Sequence, residues 1–416
     1  MNLNLLSSTS RVETPFIIAE IAGYSFGMYS RNKEDIPNYT SVKVQYPNYM
    51  QSLTVTKING TVNTYTLVMK YAITKGDDPN LLEKVFSKAS KDRTIILSYG
   101  DLSMPSFIYK KEEAIITSIK SNLDVNSSSI TYTINCTSKA LSLAAGTYSF
   151  PKRVAKPSDI IKEILYNNKY GLLDIFYGMR DKEKVLSKGL ITGDDKSVTI
   201  EAQKHISILQ YLNYLVNCMS NIENEDNTTL KKDMYAIVVV DSTTNDFDGP
   251  YFKVSKITNN IQANTLNTYE IDVGYKDNNM VSGFTINDNE VYSILYDYAS
   301  SIKQTNYIYR IDNNGKIDYS YSPALTNSNQ LMKTTEADKT WWSQMTQYPI
   351  SASLTIKGLL RPAILMNYLK INTLFYGHKH ISSGYYIITK QIDTIDASGY
   401  KTNLSLTRIQ GDDLLW

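Results

Sequence analysis

The chain has 416 residues, of which 42% are hydrophobic and 20% charged, with a formal net charge of +2. This composition excludes wholesale disorder, and the length asks for about two to four domains rather than one core. No basic block stands out, so the charge footprint of a nucleic-acid binder is missing.

Tyrosine is the compositional outlier, with 33 Tyr against 10 Phe and 3 Trp. Tyr, Thr and Ile suit half-buried pleated surfaces, and Asn-rich turns can join strands where Gly and Pro are sparse, so the composition leans towards β. Cys136 alternates with Ile130, Tyr132 and Ile134 as a small buried hydrophobe would, and Cys218 falls in a helical run. Two cysteines so far apart do not suggest a disulfide framework. The opening MNLNLLSSTS lacks the charge and apolar stretch of a signal peptide, and no window has the apolar length that crosses a bilayer. A soluble protein, assembled in a cytoplasm and without membrane insertion by itself, is expected.

In chain order, Val42, Val44 and Tyr46 alternate with polar residues, and Asn59-Gly60 separates Leu53–Ile58 from Val62–Ile73 as a hairpin turn would. Asp78 is placed to cap a helix, with Pro79 in the first turn and Leu81, Leu82, Val85, Phe86 and Ala89 on one face. Strands are predicted at Thr94–Tyr99, Phe107–Tyr109, Ala114–Ile119 and Ile130–Cys136, so residues 1–150 read as a barrel or strongly curved sheet carrying one helix.

The pattern changes after Pro151. Ser158 is placed as the cap of a helix whose inner side carries Ile160, Ile161, Ile164 and Leu165. A second helix is predicted over Ala202–Met219, followed by strands Tyr235–Val240 and Tyr251–Ile257, giving a small α+β domain over 151–262. Tyr269–Gly274 and Val281–Ile286, within 263–300, read as strands entering a second barrel. Residues 301–348, with Asn313-Asn314-Gly315 and Trp341-Trp342, read as an insertion or crossing segment. In 349–416 the alternation is clean through Ala352, Leu354 and Ile356, then Leu369 and Ile371, then Tyr385–Ile392, then Tyr400, Thr402, Leu404 and Leu406. No short-period repeat is visible, which leaves open two barrels of similar size without visible identity.

Three stretches carry a resemblance. The C-terminal one reads SASLTIKGLLRPAILMNYLKIN and then SGYYIITKQIDTIDASGYKTNLSLTRI; the second is Ile271–Ala299; the third is the helix Ala202–Met219 with Tyr235–Val240 and Gly249-Pro250-Tyr251-Phe252. In this order they resemble the baseplate hub family of contractile tails, which includes the tail hubs of T-even-like and Mu-like phages and the N-terminal hub half of type VI secretion spike proteins. The family pattern matches Leu369–Asn372, Ser383–Ile395 and Tyr400–Arg408. Its usual His in the penultimate strand is absent here, where Gln391 or Asp393 stands, and Leu360-Arg361-Pro362 replaces its Gly-Asp turn.

The resemblance implies a fold that is mainly β with α+β elements: two tube-like antiparallel β-barrel domains flanking a small mixed α+β domain. It implies a virion tail protein, a homotrimer whose two barrels per copy give six quasi-equivalent barrels. Such a ring would join a sixfold tail tube to a threefold central spike or tip protein and nucleate the tube. Baseplate wedge proteins would surround it, and tape-measure protein or DNA would pass through its channel. It implies no catalytic, cofactor or metal residue. The chain ends soon after its last strand, so a fused spike or peptidase domain is not expected.

His378-Lys379-His380 puts two imidazoles on one side of a strand, yet no nearby Cys or carboxylate completes a metal set, which favours a solvated loop. His205 reads as a surface or capping residue. Asp241, Asp246 and Asp248 lack the spacing of a calcium loop and read as a turn with solvated acids, and Asp77-Asp78 as a turn and cap. Trp341-Trp342 reads as core or interface anchoring before a sugar platform. No Ser-centred elbow, phosphate loop, HExxH or CxxC occurs. A receptor- or carbohydrate-binding tail protein and a tail-associated cell-wall hydrolase are the alternative readings.

Overall fold

A computed structural model describes residues 15–29, 44–72, 78, 80–89, 93–101, 109–257 with short breaks, 265–272, 281–288, 310–311, 317–318, 350–357 and 364–411 with a break at 381. The protein is mainly β, with a few helices set into the middle of the chain.

The N-terminal strands are β1 (Pro15–Ile21), β2 (Tyr24–Tyr29), β3 (Met50–Ile58), β4 (Thr64–Ala72), β5 (Thr94–Asp101), β6 (Tyr109–Asp124) and β7 (Ser129–Ser138), with helix α1 (Leu81–Ala89) between β4 and β5. The middle holds α2 (Pro157–Tyr166), α3 (Ile208–Met219), β8 (Met234–Val240) and β9 (Tyr251–Ile257). The remaining strands are β10 (Thr265–Asp272), β11 (Val281–Asp288), β12 (Ile350–Lys357), β13 (Tyr368–Phe375), β14 (Gly384–Asp396) and β15 (Gly399–Gly411). One large sheet runs β11-β12-β15-β14-β3-β4-β7-β6-β5-β1-β2, with β13 also beside β14 and β10 beside β13.

The alternation read from β3, β4, β7 and β12 is the alternation of burial: Leu53, Val55, Leu67, Met69, Ile134, Leu354 and Ile356 all face inward. Strand β1 was not anticipated. Its sequence PFIIAEI is buried on both faces between β2 and β5, so it carries no period-two signal. Tyr109, the end of one expected strand, and Ala114–Ile119, another, fall in one 16-residue strand, β6, with Glu112 between them paired inside the protein; Phe107 and Ile108 lie outside the described residues. Tyr46 makes a single parallel bridge to Phe26 where a strand was expected, and Val42 lies outside the described residues. That bridge brings β2 back to the approach to β3, and the backbone N–H of Gly27 donates to the Tyr46 carbonyl at 3.0 Å.

Two helix boundaries also differ. Ser158 is not the cap of α2, which begins at Pro157 after Lys156; the Asp195 carboxylate, remote in sequence, accepts from the Ser158 N–H at 2.8 Å and does the capping. The helix expected from Ala202 starts at Ile208, because Gln203–Ile206 pairs as a short strand with Tyr148–Phe150. Asp78 behaves as expected: its carboxylate accepts from the Asn80 N–H at 3.0 Å ahead of α1.

The sheet contains an internal duplication that no repeat in the sequence announced. The order β3-β4-β7-β6-β5 recurs as β11-β12-β15-β14-β13, with every neighbour antiparallel in both. Two of the irregularities recur too. The β3–β4 register slips between Met50 and Ser52, and the β11–β12 register between Val281 and Gly283. The β6–β7 register slips between Ile116 and Ser118, and the β14–β15 register between Ile388 and Lys390. At these last two bulges the skipped residues are Thr117 and Thr389. Each donates its hydroxyl to the carbonyl across the pair, Asn135 at 2.9 Å and Ser405 at 3.1 Å. The flanking strands differ: β1 is antiparallel to β5, whereas β10 is parallel to β13.

The two lobes share one hairpin. Gly384–Ile387 of β14 pairs with β13, and past the bulge Lys390–Asp396 pairs with β3. Accordingly Tyr386, Ile388, Leu404 and Leu406 belong to the core shared by the second lobe with α2, α3, β8 and β9, while Ile395 and Tyr400 belong to the core of the first lobe.

Candidate functional site: the strand junction and its buried carboxylates

Where β14 meets β3, three of the inward positions, Lys57, Gln391 and Asp393, are polar. Lys57 of β3 forms an ion pair with Glu112 of β6 at 2.8 Å, with both side chains almost wholly buried, and the Tyr99 hydroxyl of β5 donates to the other oxygen of Glu112. Across the seam Asp393 of β14 accepts from the Gln391 amide at 2.6 Å, the Thr402 hydroxyl at 2.6 Å and the Tyr400 hydroxyl at 2.9 Å. Gln391 and Asp393 are the residues standing where the related pattern has His; both are fully buried.

A second carboxylate fixes β8 to the first lobe. Asp241, at the end of β8, accepts from Ser138 Oγ at 2.5 Å, Asn63 Nδ2 at 2.7 Å and Tyr65 OH at 3.0 Å. The turn after β3 locks the same joint: Gly60 N–H donates to the Ile237 carbonyl at 3.3 Å, and Asn213 of α3 donates to the Gly60 carbonyl at 2.8 Å. Gly60 sits at φ +71, and a Cβ there would lie 3.0 Å from Asn213 Oδ1. The Asn59-Gly60 signal therefore marks a docking point as well as a turn.

Burial pushes Asp241 up to about 6, opposed by its hydrogen bonds and reinforced by Glu112. Burial likewise pushes Asp393 up to about 6, opposed by Thr402 and Lys57. A carboxyl whose folded value lies above its unfolded value binds its proton more tightly in the folded protein. The stability it adds is complete below about 4 and is lost as pH rises through about 6. The urea midpoint should therefore climb as pH is lowered from 8 to 5, and Asp241→Asn combined with Asp393→Asn should flatten that climb. A midpoint that falls over this range in the unaltered protein contradicts the assignment.

The chemistry of this arrangement is that of a rigid joint. Its carboxylates are satisfied from within, and among the described residues no group of three or more His, Cys, Asp or Glu side chains is placed to hold a metal ion. The three acids of this stretch are apart in role: Asp241 is buried at the joint, Asp246 pairs with Lys188 at 2.6 Å on the surface, and Asp248 is exposed. His378, Lys379 and His380 are exposed at the hairpin after β13, and His380 Nδ1 lies 2.8 Å from Ser382 Oγ. His205 is exposed on a short strand, not at a helix start. Cys136 and Cys218 are buried and not joined in a disulfide, and burial pushes Cys136 up to about 12. Trp341-Trp342 and the turn Asn313-Asn314-Gly315 lie outside the described residues.

No protein-family model and no curated protein matches this sequence. Among solved structures the chain is similar to the 43 kDa tail protein of prophage MuSo2 from Shewanella oneidensis, at 9% identity and a TM-score of 0.49 over 96% of this chain and 98% of that one. It is similar to the tail protein from Neisseria meningitidis MC58, at 9% identity and a TM-score of 0.45 over 97% and 98% of the two chains. It is also similar to an E. coli component of the type VI secretion system, itself described as structurally similar to T4 bacteriophage tail proteins gp27 and gp5, at 9% identity and a TM-score of 0.45 over 88% and 75%. These neighbours are tail and secretion proteins of the kind that the closing strands resemble.

Proposed function

We propose that the chain is a structural baseplate hub of a contractile phage-type tail and not an enzyme. As a homotrimer it joins a sixfold tail tube to a threefold spike and nucleates the tube. The observation that carries this reading is the internal duplication. A chain that presents the same five-stranded order twice, with two bulges in common, presents six such units when three copies meet. That is the geometry needed to match a threefold object to a sixfold one. The buried joints support it, because a coupler between two symmetries has to hold its units at fixed angles.

On this reading residues 1–150 and the strands of 263–300 and 349–416 are the two tube-like units, 151–262 is the mixed domain, and 301–348 is a crossing segment. The tail tube, the spike or tip protein and the wedge proteins are its partners, with tape-measure protein or DNA in the channel and the virion tail as its location. Sedimentation of the purified chain should give a species of three 47.1 kDa copies. A single-copy species across the micromolar range overturns the reading.

A further inference from the structure

The buried polar residues of the strand junction form one charge cluster with Glu112 of β6 at its centre. Glu112 holds the Lys57 ammonium at 2.8 Å, accepts from the Tyr99 hydroxyl of β5 and faces the Tyr65 hydroxyl of β4. Tyr65 in turn donates to Asp241 of β8 at 3.0 Å. Across the seam, Asp393 of β14 faces both Lys57 and Glu112. Glu113, next along β6, points to the opposite side, towards Lys139 and Tyr177. The cluster thus sets three buried carboxyls, Glu112, Asp241 and Asp393, against the single ammonium of Lys57. Lys57 balances the acid it touches. With all three acids ionised, two negative charges stay buried without a counter-ion in contact, and a low-dielectric interior penalises that state. Two protons remove it.

Asp241 and Asp393 are built alike for those protons. One oxygen of each meets hydroxyls: Oδ1 of Asp241 meets Ser138 Oγ at 2.5 Å, and Oδ1 of Asp393 meets Thr402 Oγ1 at 2.6 Å and Tyr400 OH at 2.9 Å. The other oxygen of each takes a side-chain amide, Asn63 Nδ2 at 2.7 Å and Gln391 Nε2 at 2.6 Å. An amide N–H only donates, whereas a hydroxyl turns to accept. A proton placed on either Oδ1 therefore keeps its partner, and both settings fit the carboxylic acid as well as the carboxylate.

We propose that the cluster is a two-proton latch: with Asp241 and Asp393 protonated it holds β8 and the β14–β15 hairpin against the first lobe, and loss of the protons loosens both contacts as one unit. The latch does not rest on the hub reading. Glu112 makes it one unit, because its charge faces both acids. Burial holds both acids at about 6 in the folded protein, above the ordinary value of about 4. The tight state is therefore complete in acid and is lost as pH rises through about 6.

Hydrogen exchange of the full chain, corrected for the intrinsic pH dependence of exchange, reads the latch in peptides covering Met234–Val240 and Lys390–Asp396. Protection in both should fall between pH 5 and 8, by about tenfold for each carboxyl that returns to its ordinary value on opening. Protection in α2, whose cap is Asp195, should stay level. Glu112→Gln, which keeps an acceptor for Tyr99, should move both falls to lower pH. Asp241→Asn together with Asp393→Asn should abolish both falls and keep protection at its acid level up to pH 8. An equal fall in α2, a fall in one of the two peptides alone, or a Glu112→Gln effect confined to one of them overturns the latch. If Glu112→Gln does not fold, the double asparagine variant decides, since a fall that persists in it overturns the latch as well.

Discussion

Lys57→Ala is expected to lower the unfolding free energy by about 3–5 kcal/mol, because it leaves Glu112 ionised inside the first lobe without its cation. The pair is nearly inaccessible on both sides, so water cannot take the place of the lost ammonium. Coulomb attraction alone is a poor guide to the size of this effect. Bringing both charges out of water already cancels much of their mutual attraction, and the large cost belongs to stranding one of them. The double replacement Lys57→Met with Glu112→Gln should therefore recover most of the loss, since the Gln can still accept from Tyr99 and no charge is left behind. Urea unfolding of the three proteins checks this. If Lys57→Ala and the double variant are equally destabilised, packing and not charge governs the joint.

Asp241→Ala is expected to cost about 3 kcal/mol or more, and Asp241→Asn little or nothing. Alanine leaves Asn63 Nδ2, Tyr65 OH and Ser138 Oγ without their acceptor in the interior, at about 1–3 kcal/mol for each group that finds no substitute. Against that stands the relief of an ionised carboxyl that burial already disfavours. Three stranded donors outweigh one relieved charge, so alanine destabilises. Asparagine keeps the acceptor for Asn63 and Tyr65, turns its amide to a Ser138 hydroxyl that can rotate to accept, and removes the buried charge. The unfolding midpoints at pH 7 should rank Asn at or above Asp, with Ala well below. Proteolysis should cut the alanine variant faster around β8, since Asp241 is where β8 meets the first lobe.

What could be read beforehand follows from which signals are local. Leu53–Ile58, Ala352–Ile356 and Tyr400–Leu406 sit with one face on a core and one in solvent, and they alternate accordingly. Strand β1 escaped because both of its faces are covered. Glu112 escaped because a Lys-Lys-Glu-Glu run looks like a solvated face until the strand that buries it is in place. Asp195 escaped because the cap it supplies is far along the chain from the helix it caps. Asp393 was noticed only as a departure from a pattern; its three donors come from its own hairpin but are assembled only when that hairpin folds. The duplication had one local trace. Ile115-Ile116-Thr117 recurs as Ile387-Ile388-Thr389, and both tripeptides end on the bulge threonine that bonds across the pair. A tripeptide is too short to stand out from chance, and the rest of the repeat lies in register and bulge positions, which sequence alone does not display.

Electron microscopy of the purified protein, viewed down its symmetry axis, tests the central claim most directly. The account predicts a closed ring of six equivalent lobes around an open channel, built from three chains that each contribute two. Discrete two-lobed particles that never close, or rings whose lobe number is not twice the number of chains, would contradict it.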